Sequence, residues 1–452
     1  MNTYFLMDRN ITGKKPTFHQ SGPKSNFYRA LILLGLIGGG IWLLSQVGIG
    51  PQFRVQPLFL ATPTATRTAD SYLLAAEAYF NAGKIEDPAD SDAIDAYRLA
   101  LELDPGNALA RAELARLLTY STRLLSTSAE RVARLEEARE ESAKAVELAP
   151  DDSTVQAIHA LVLDWSASFA VTIDQYQKWL MEAEQVASLA YHLDPNNALA
   201  LAYYAEVLLD QGKWPQAEQH ARQAVELAPD LMDTHRVYAT VLETFGQYRV
   251  AIEEYEKAAA INPNLTFLYI QIGVIYRELE VYDVALEQFE KAIKINEANG
   301  VQDPLPYIAI AKTYSRMGEF FIAALNGEKA LNFDPTNPNS YGQLGDIYVR
   351  ARNYEGAVPV LKCAVLGCTA EENEVGGADV TGLPLTNIEV AFYYVRYGSV
   401  LAALSRPGLN YCPEALLVLA DVRDVFPDNG LLIGIVEENE AICRLIEETP
   451  AP

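Results

Sequence analysis

The chain has 452 residues, half of them apolar and 21% charged, with 27 Gly and 23 Pro. This composition excludes wholesale disorder and leaves material for a continuous core. The net charge is −25, and the imbalance is steeper beyond residue 69. Seven of the 35 Lys and Arg precede Asp70, against Asp8 alone among the 60 Asp and Glu. Such an acidic body repels nucleic acid and anionic lipid unless a basic patch intervenes.

The N-terminal segment 1–29 carries Arg9, Lys14, Lys15, Lys24 and Arg29 and leads into 30–50, where no charge occurs. Twenty-one helical residues span roughly 30 Å, the thickness of a hydrocarbon core, so the expectation is a transmembrane helix retained as a signal anchor. Only Arg54 follows it closely. The positive-inside bias then places the N-terminus in the cytoplasm, and the body outside the cytoplasmic membrane as part of a cell-envelope protein. Residues 51–69 mix Pro and Thr without helical period and read as a tether.

From Asp70 a recurring ending appears: LELDPGN at 101, VELAPDD at 146, YHLDPNN at 191, VELAPDL at 225, AAINPNL at 259 and LNFDPTN at 331. Pro195, Pro229 and Pro263 lie 34 residues apart. Within one such period stand Ala239, Leu242, Gly246, Tyr248, Ala251, Tyr255, Ala258 and Pro263. The next supplies Gly273, Tyr276, Tyr282, Ala285, Phe289 and Ala292, and the two after that supply Ala311, Tyr314, Gly318 and Ala323, then Gly345, Tyr348, Tyr354 and Ala357. This pattern resembles the tetratricopeptide repeat, W-x2-L-G-x2-Y followed by A-x3-F and a late Ala and Pro. The resemblance implies an all-α, right-handed superhelical solenoid of antiparallel helix pairs. Small residues let helix B approach helix A, aromatics fill the space between units, and Pro stops helix B.

The array is expected over 70–429 as nine pairs, with a capping helix and tail at 430–452. Early units depart from the period. Pro105, Pro150 and Pro195 are 45 residues apart, which places insertions near Thr119–Glu130 and Trp165–Trp179, read as longer helices or inter-helix loops. A further insertion, 84–91, contains Pro88. Residues 370–387, rich in Gly, Pro and acids, read as a surface loop.

No H-E-x-x-H, G-x-S-x-G, phosphate-binding glycine loop or paired CxxC motif occurs, and the five histidines are scattered, so neither catalysis nor a cofactor nor a metal is expected. The resemblance implies protein binding by stacked A helices that line a concave groove taking a peptide or helix. Carried onto this sequence, the groove places include Arg236, Phe267, Ile270, Val274, Arg277, Ile308 and Lys312. They suggest an apolar strip with basic neighbours, suited to an apolar segment bearing an acidic group. The Lys and Asn arrangement by which chaperone-binding relatives clamp a terminal carboxylate is not reproduced. The second reading is self-association of solenoids into an oligomer or filament.

Four cysteines cluster late, at 363, 368, 412 and 443. An oxidising compartment favours disulfides. The repeat geometry suggests Cys412 with Cys443, pinning the cap, and Cys363 with Cys368, closing a short loop. A zinc site of all four is the alternative, although the spacing lacks paired short loops.

Overall fold

The computed structural model describes residues 26–47, 67–86, 91–125, 127–170, 172–406 and 408–448. The basic segment up to residue 25, residues 48–50 of the uncharged run, residues 51–66 of the tether and Pro88 lie outside the described residues. Two compact units divide the chain, Met1–Thr66 and Arg67–Pro452.

In the first unit the described element is α1 (Phe27–Val47). Among the described residues no helix is long and apolar enough to cross a membrane. This overturns the localisation expected above, a single-pass anchor in the cytoplasmic membrane with the N-terminus inside and the repeat body outside. The helix starts ahead of the uncharged run, so Arg29 joins its first turn. Gly35, Gly38, Gly39 and Gly40 interrupt it with positions that carry no apolar side chain.

The second unit is built from helices. Pairs are formed by α2 (Ala69–Asn81) with α3 (Ala93–Leu103), α4 (Ala108–Ser121) with α5 (Ser128–Leu148), and α6 (Ser153–Ala167) with α7 (Ile173–Leu193). Then follow α8 (Ala198–Asp210) with α9 (Trp214–Leu227), α10 (Met232–Thr244) with α11 (Tyr248–Ile261), and α12 (Thr266–Glu278) with α13 (Tyr282–Ala298). The last pairs are α14 (Leu305–Met317) with α15 (Phe320–Phe333), α16 (Pro338–Arg350) with α17 (Tyr354–Val365), and α18 (Ile388–Leu404) with α19 (Cys412–Val425), and α20 (Gly430–Glu448) closes the stack. No strand occurs among the described residues beyond two isolated bridges.

The recurring Asp-Pro-x-Asn does two jobs. Its proline stands just past helix B, where a helix cannot continue. Its final residue caps the next helix A: Asn107 accepts from the Ala110 amide at 3.0 Å, and Asn197 from the amides of Leu199 at 3.0 Å and Ala200 at 3.2 Å. Between A and B the chain must pass through left-handed φ, which Gly246 and Gly318 supply at +70° and +83°. Glu280 and Arg352 occupy the same place in other units with φ of 61° and 59°, and there the side chain carries strain. Close approach of A to B explains Gly273, where an added Cβ would lie 2.4 Å from the Phe289 ring.

The two long insertions are spent in two ways. Helices α5 and α7 have 21 residues each, against 14 in α9 and α11. In addition, the chain after α4 makes a 3-10 turn, Thr122–Leu124, before the Thr127 and Glu130 capping box starts α5. The stretch 370–387 is pinned rather than free. Asn373 is buried and donates to the Tyr341 hydroxyl and to the Ala378 carbonyl, both at 2.7 Å. Cys363 and Cys368 are joined with Cα atoms 4.8 Å apart, and Cys412 and Cys443 with Cα atoms 5.5 Å apart.

Candidate functional site

The concave side of the second unit divides into two regions of different character. In the upper one the solenoid curls back on itself. The Asn262 side chain donates to the Phe80 carbonyl at 3.2 Å and Asn264 to that of Ala82 at 3.0 Å, bringing the turn after α2 against the turn after α11. The end of α4 reaches across this curl. Arg116 Nη1 lies 2.9 Å from Asp233 Oδ2 on α10, and Asp233 Oδ1 accepts from the hydroxyls of Tyr120 and Tyr203. The Tyr120 ring stacks on Phe267 at 6.0 Å and meets Trp165 edge-on at 5.5 Å.

Arg236 and Phe267, both assigned to the groove from sequence, are therefore committed inside this region. The Arg236 guanidinium makes a two-point bridge to Glu206, both contacts at 2.7 Å, and is buried. With Ile270, Trp165 and Asp164 these residues border a cavity of about 280 Å³. Arg123, from the turn after α4, completes its wall, so the first insertion partly fills the concave space that the sequence reading left open.

The lower region spans α12, α14, α16 and α18. Arg277 and Lys312 lie here, bordering a second cavity of about 500 Å³ with Arg316, Arg350, Arg396, Phe392 and Tyr393. Five cationic side chains face two carboxylates, Asp346 and Glu389. Asp346 bridges both Arg350, at 2.7 Å, and Arg396, at 3.0 Å, and Arg316 turns to Glu278 at 2.9 Å. Arg277 is buried with an unpartnered Nε; its Nη1 makes a long contact of 3.5 Å to the Ala309 carbonyl and its Nη2 an ion pair of 3.7 Å with Glu278. Crowding by surrounding protein and then the neighbouring Arg277 guanidinium push the Lys312 ammonium below its usual range. Even with Glu278 counted, five cations stand against three carboxylates, so net positive charge is concentrated here, on a chain of net charge −25.

The seven predicted groove residues thus do not form one strip. Arg236, Phe267 and Ile270 belong to the upper cavity and Arg277 and Lys312 to the lower one, while Val274 and Ile308 lie half-buried along α12 and α14. Arg396 escaped the sequence reading because the stretch 370–387 breaks the count of positions between α16 and α18, and Arg350, the last residue of α16, falls outside the groove places counted. Asp164 also escaped, although a lone acid in the run from Ala160 to Ala170 is itself a signal.

Residues 196–264 and 268–299 match tetratricopeptide repeat family models. The chain carries tetratricopeptide repeats. Proteins built on such repeats are typically interaction scaffolds and generally non-catalytic. No curated protein matches the chain in sequence. Among solved structures, the human IFIT1 dimer with PPP-AAAA is 17% identical with a TM-score of 0.51, over 74% of this chain and 72% of that one. A tetratricopeptide repeat protein from Parabacteroides merdae is 17% identical with a TM-score of 0.43, over 62% of this chain and 98% of that one. YrrB, a repeat protein with an unusual peptide-binding site, is 19% identical with a TM-score of 0.32, over 48% of this chain and 99% of its own. At these identities the likeness is one of fold.

Proposed function

We propose that this chain is a non-catalytic protein-binding scaffold that captures an acidic segment of a partner in the groove lined by α12, α14, α16 and α18. The observation that carries this reading is the excess of cations there, Arg277, Lys312, Arg316, Arg350 and Arg396 against Asp346 and Glu389. Guanidinium groups bind carboxylates in a two-point geometry that also fixes orientation. Phe392 and Tyr393 offer apolar contact beside them, so a segment alternating acidic and apolar side chains fits the surface. The acidic remainder of the body repels such a segment elsewhere and directs it to this groove.

The test is fluorescence anisotropy of the full chain with a labelled peptide alternating Glu and Leu, and with its Lys and Leu counterpart. The acidic peptide is expected to bind, more weakly as salt rises. The double variant Lys312→Glu, at an exposed position, and Arg396→Glu, at a half-buried one, is expected to lose about tenfold or more in affinity, roughly 1.4 kcal/mol. Equal binding of the two peptides, or an unchanged double variant, would remove the reading.

A further inference from the structure

The charges around the upper cavity are unevenly paired. Arg236 makes a two-point bridge to Glu206 through Nη1 and Nη2, leaving only its Nε without a partner, and the Arg123 guanidinium lies over the Trp165 ring, 5.0 Å from its centroid. Asp164 has no such counterpart. It is 2% exposed, its Oδ1 has no hydrogen-bond partner, and it borders the cavity. Asp210, the last residue of α8, borders the same space.

Asp164 stands in the last turn of α6, so both carboxyls are at helix C-termini, where the aligned peptide dipoles are negative and favour a cation. An unpartnered carboxylate in this position works against folding unless something positive joins it. Burial, followed by the charges of Asp210 and Glu206, pushes the Asp164 carboxyl well above the ordinary range. Burial, then Glu206, pushes Asp210 up to about 6.

We propose that this cavity binds an alkylammonium group, with Asp164 and Asp210 as its carboxylate partners. A space of about 280 Å³ holds a lysine side chain or a small aliphatic amine, and Trp165, Phe267 and Ile270 give its methylenes an apolar wall. An ammonium pairs with the ionised carboxylates, so protons compete with it and affinity falls as pH falls. The other ionisable groups facing the pair are Glu206 on α8, Arg236 on α10, Tyr255 on α11, Arg123 and Tyr176 on α7. The proposal is independent of the lower groove, and Lys312→Glu leaves it untouched.

Calorimetric titration of the full chain tests it with 1,5-diaminopentane, with a capped peptide containing one central lysine, and with 1-pentanol as the neutral control. At least one amine is expected to bind at pH 7.5 while pentanol does not, and the amine that binds identifies the source of the group. Affinity is expected to fall about tenfold or more in Asp164→Asn, and again at pH 5. Because the substitution removes an unpartnered carboxyl, the unliganded variant is expected to unfold at the same or higher urea concentration. Failure of both amines at millimolar concentration, or unchanged affinity in Asp164→Asn, overturns the proposal. A lower unfolding midpoint for that variant overturns it too, since the carboxylate would then be a structural partner.

Discussion

Replacing Asp233 by alanine removes the acceptor at the centre of the contact between α4 and α10, residues 117 positions apart in the chain. Asp233 is fully buried and serves three donors: Arg116 at 2.9 Å, Tyr203 at 2.8 Å and Tyr120. Breaking a buried ion pair by deleting one partner costs about 3–5 kcal/mol, because the remaining charge is stranded. Here Glu113 still holds Arg116 through Nη2 at 2.6 Å, which softens that part. Two tyrosine hydroxyls lose their acceptor as well, at about 1 kcal/mol or more each. The expected loss is therefore about 4 kcal/mol, the stranded guanidinium contributing the larger share. Asp233→Asn keeps an acceptor oxygen but no charge and should fall between wild type and alanine. The assay is urea unfolding followed by the fluorescence of Trp165, Trp179 and Trp214, with Glu137→Ala as control. Glu137 pairs with Arg98 at 2.6 Å, but both side chains are at least 40% exposed, so its loss should cost under about 1 kcal/mol. A loss for Asp233→Ala no greater than for Glu137→Ala would refute the idea that α4 is locked across the curl.

Four further outcomes are expected. Intact-mass analysis without reductant should show no free thiols. In the chain-entropy account, closing the Cys412–Cys443 loop, with its sequence separation of 31, contributes about 3.5 kcal/mol. Cys443→Ser should therefore expose the Arg444 peptide bond to trypsin, and an unchanged cleavage rate would count against a pinned cap. Arg352→Gly relieves the φ of 59° and should raise stability by up to about 1 kcal/mol, read as a higher urea midpoint; a fall would show that the Arg352 side chain contributes more than its strain costs. His235 Nδ1 donates to the Glu254 carboxylate at 2.5 Å and its Nε2 to the Pro229 carbonyl at 2.7 Å, and the Glu254 hydrogen bond raises its pKa. Its contribution is fully present below the ordinary imidazole value of about 6.5 and is lost as pH rises through the raised folded value. The stability gap between wild type and His235→Gln should thus be wider at pH 5.5 than at pH 9, and a gap independent of pH would mean that the imidazole stays neutral.

Local chemistry was legible in the sequence. The spacing of prolines announced helix pairs, and the small residues at 273 and 345 announced the close approach of A to B, because each depends on neighbours within one repeat. The resemblance placed Arg277 and Lys312 among the groove positions, and both border the lower cavity. The membrane helix read from 30–50 fails because charge-free length was weighed above what Gly35 and Gly38 to Gly40 leave out.

Tertiary structure decided the rest. Whether the concave side is open depends on rotation accumulated over five helix pairs, a small angle at each junction that no single repeat encodes. That curl brings Asn262 to Phe80 and Asp233 to Arg116 and turns a predicted groove residue, Arg236, into the partner of Glu206. It also leaves Asp164 buried with its Oδ1 unpartnered, beside a cavity that exists only because distant helices meet.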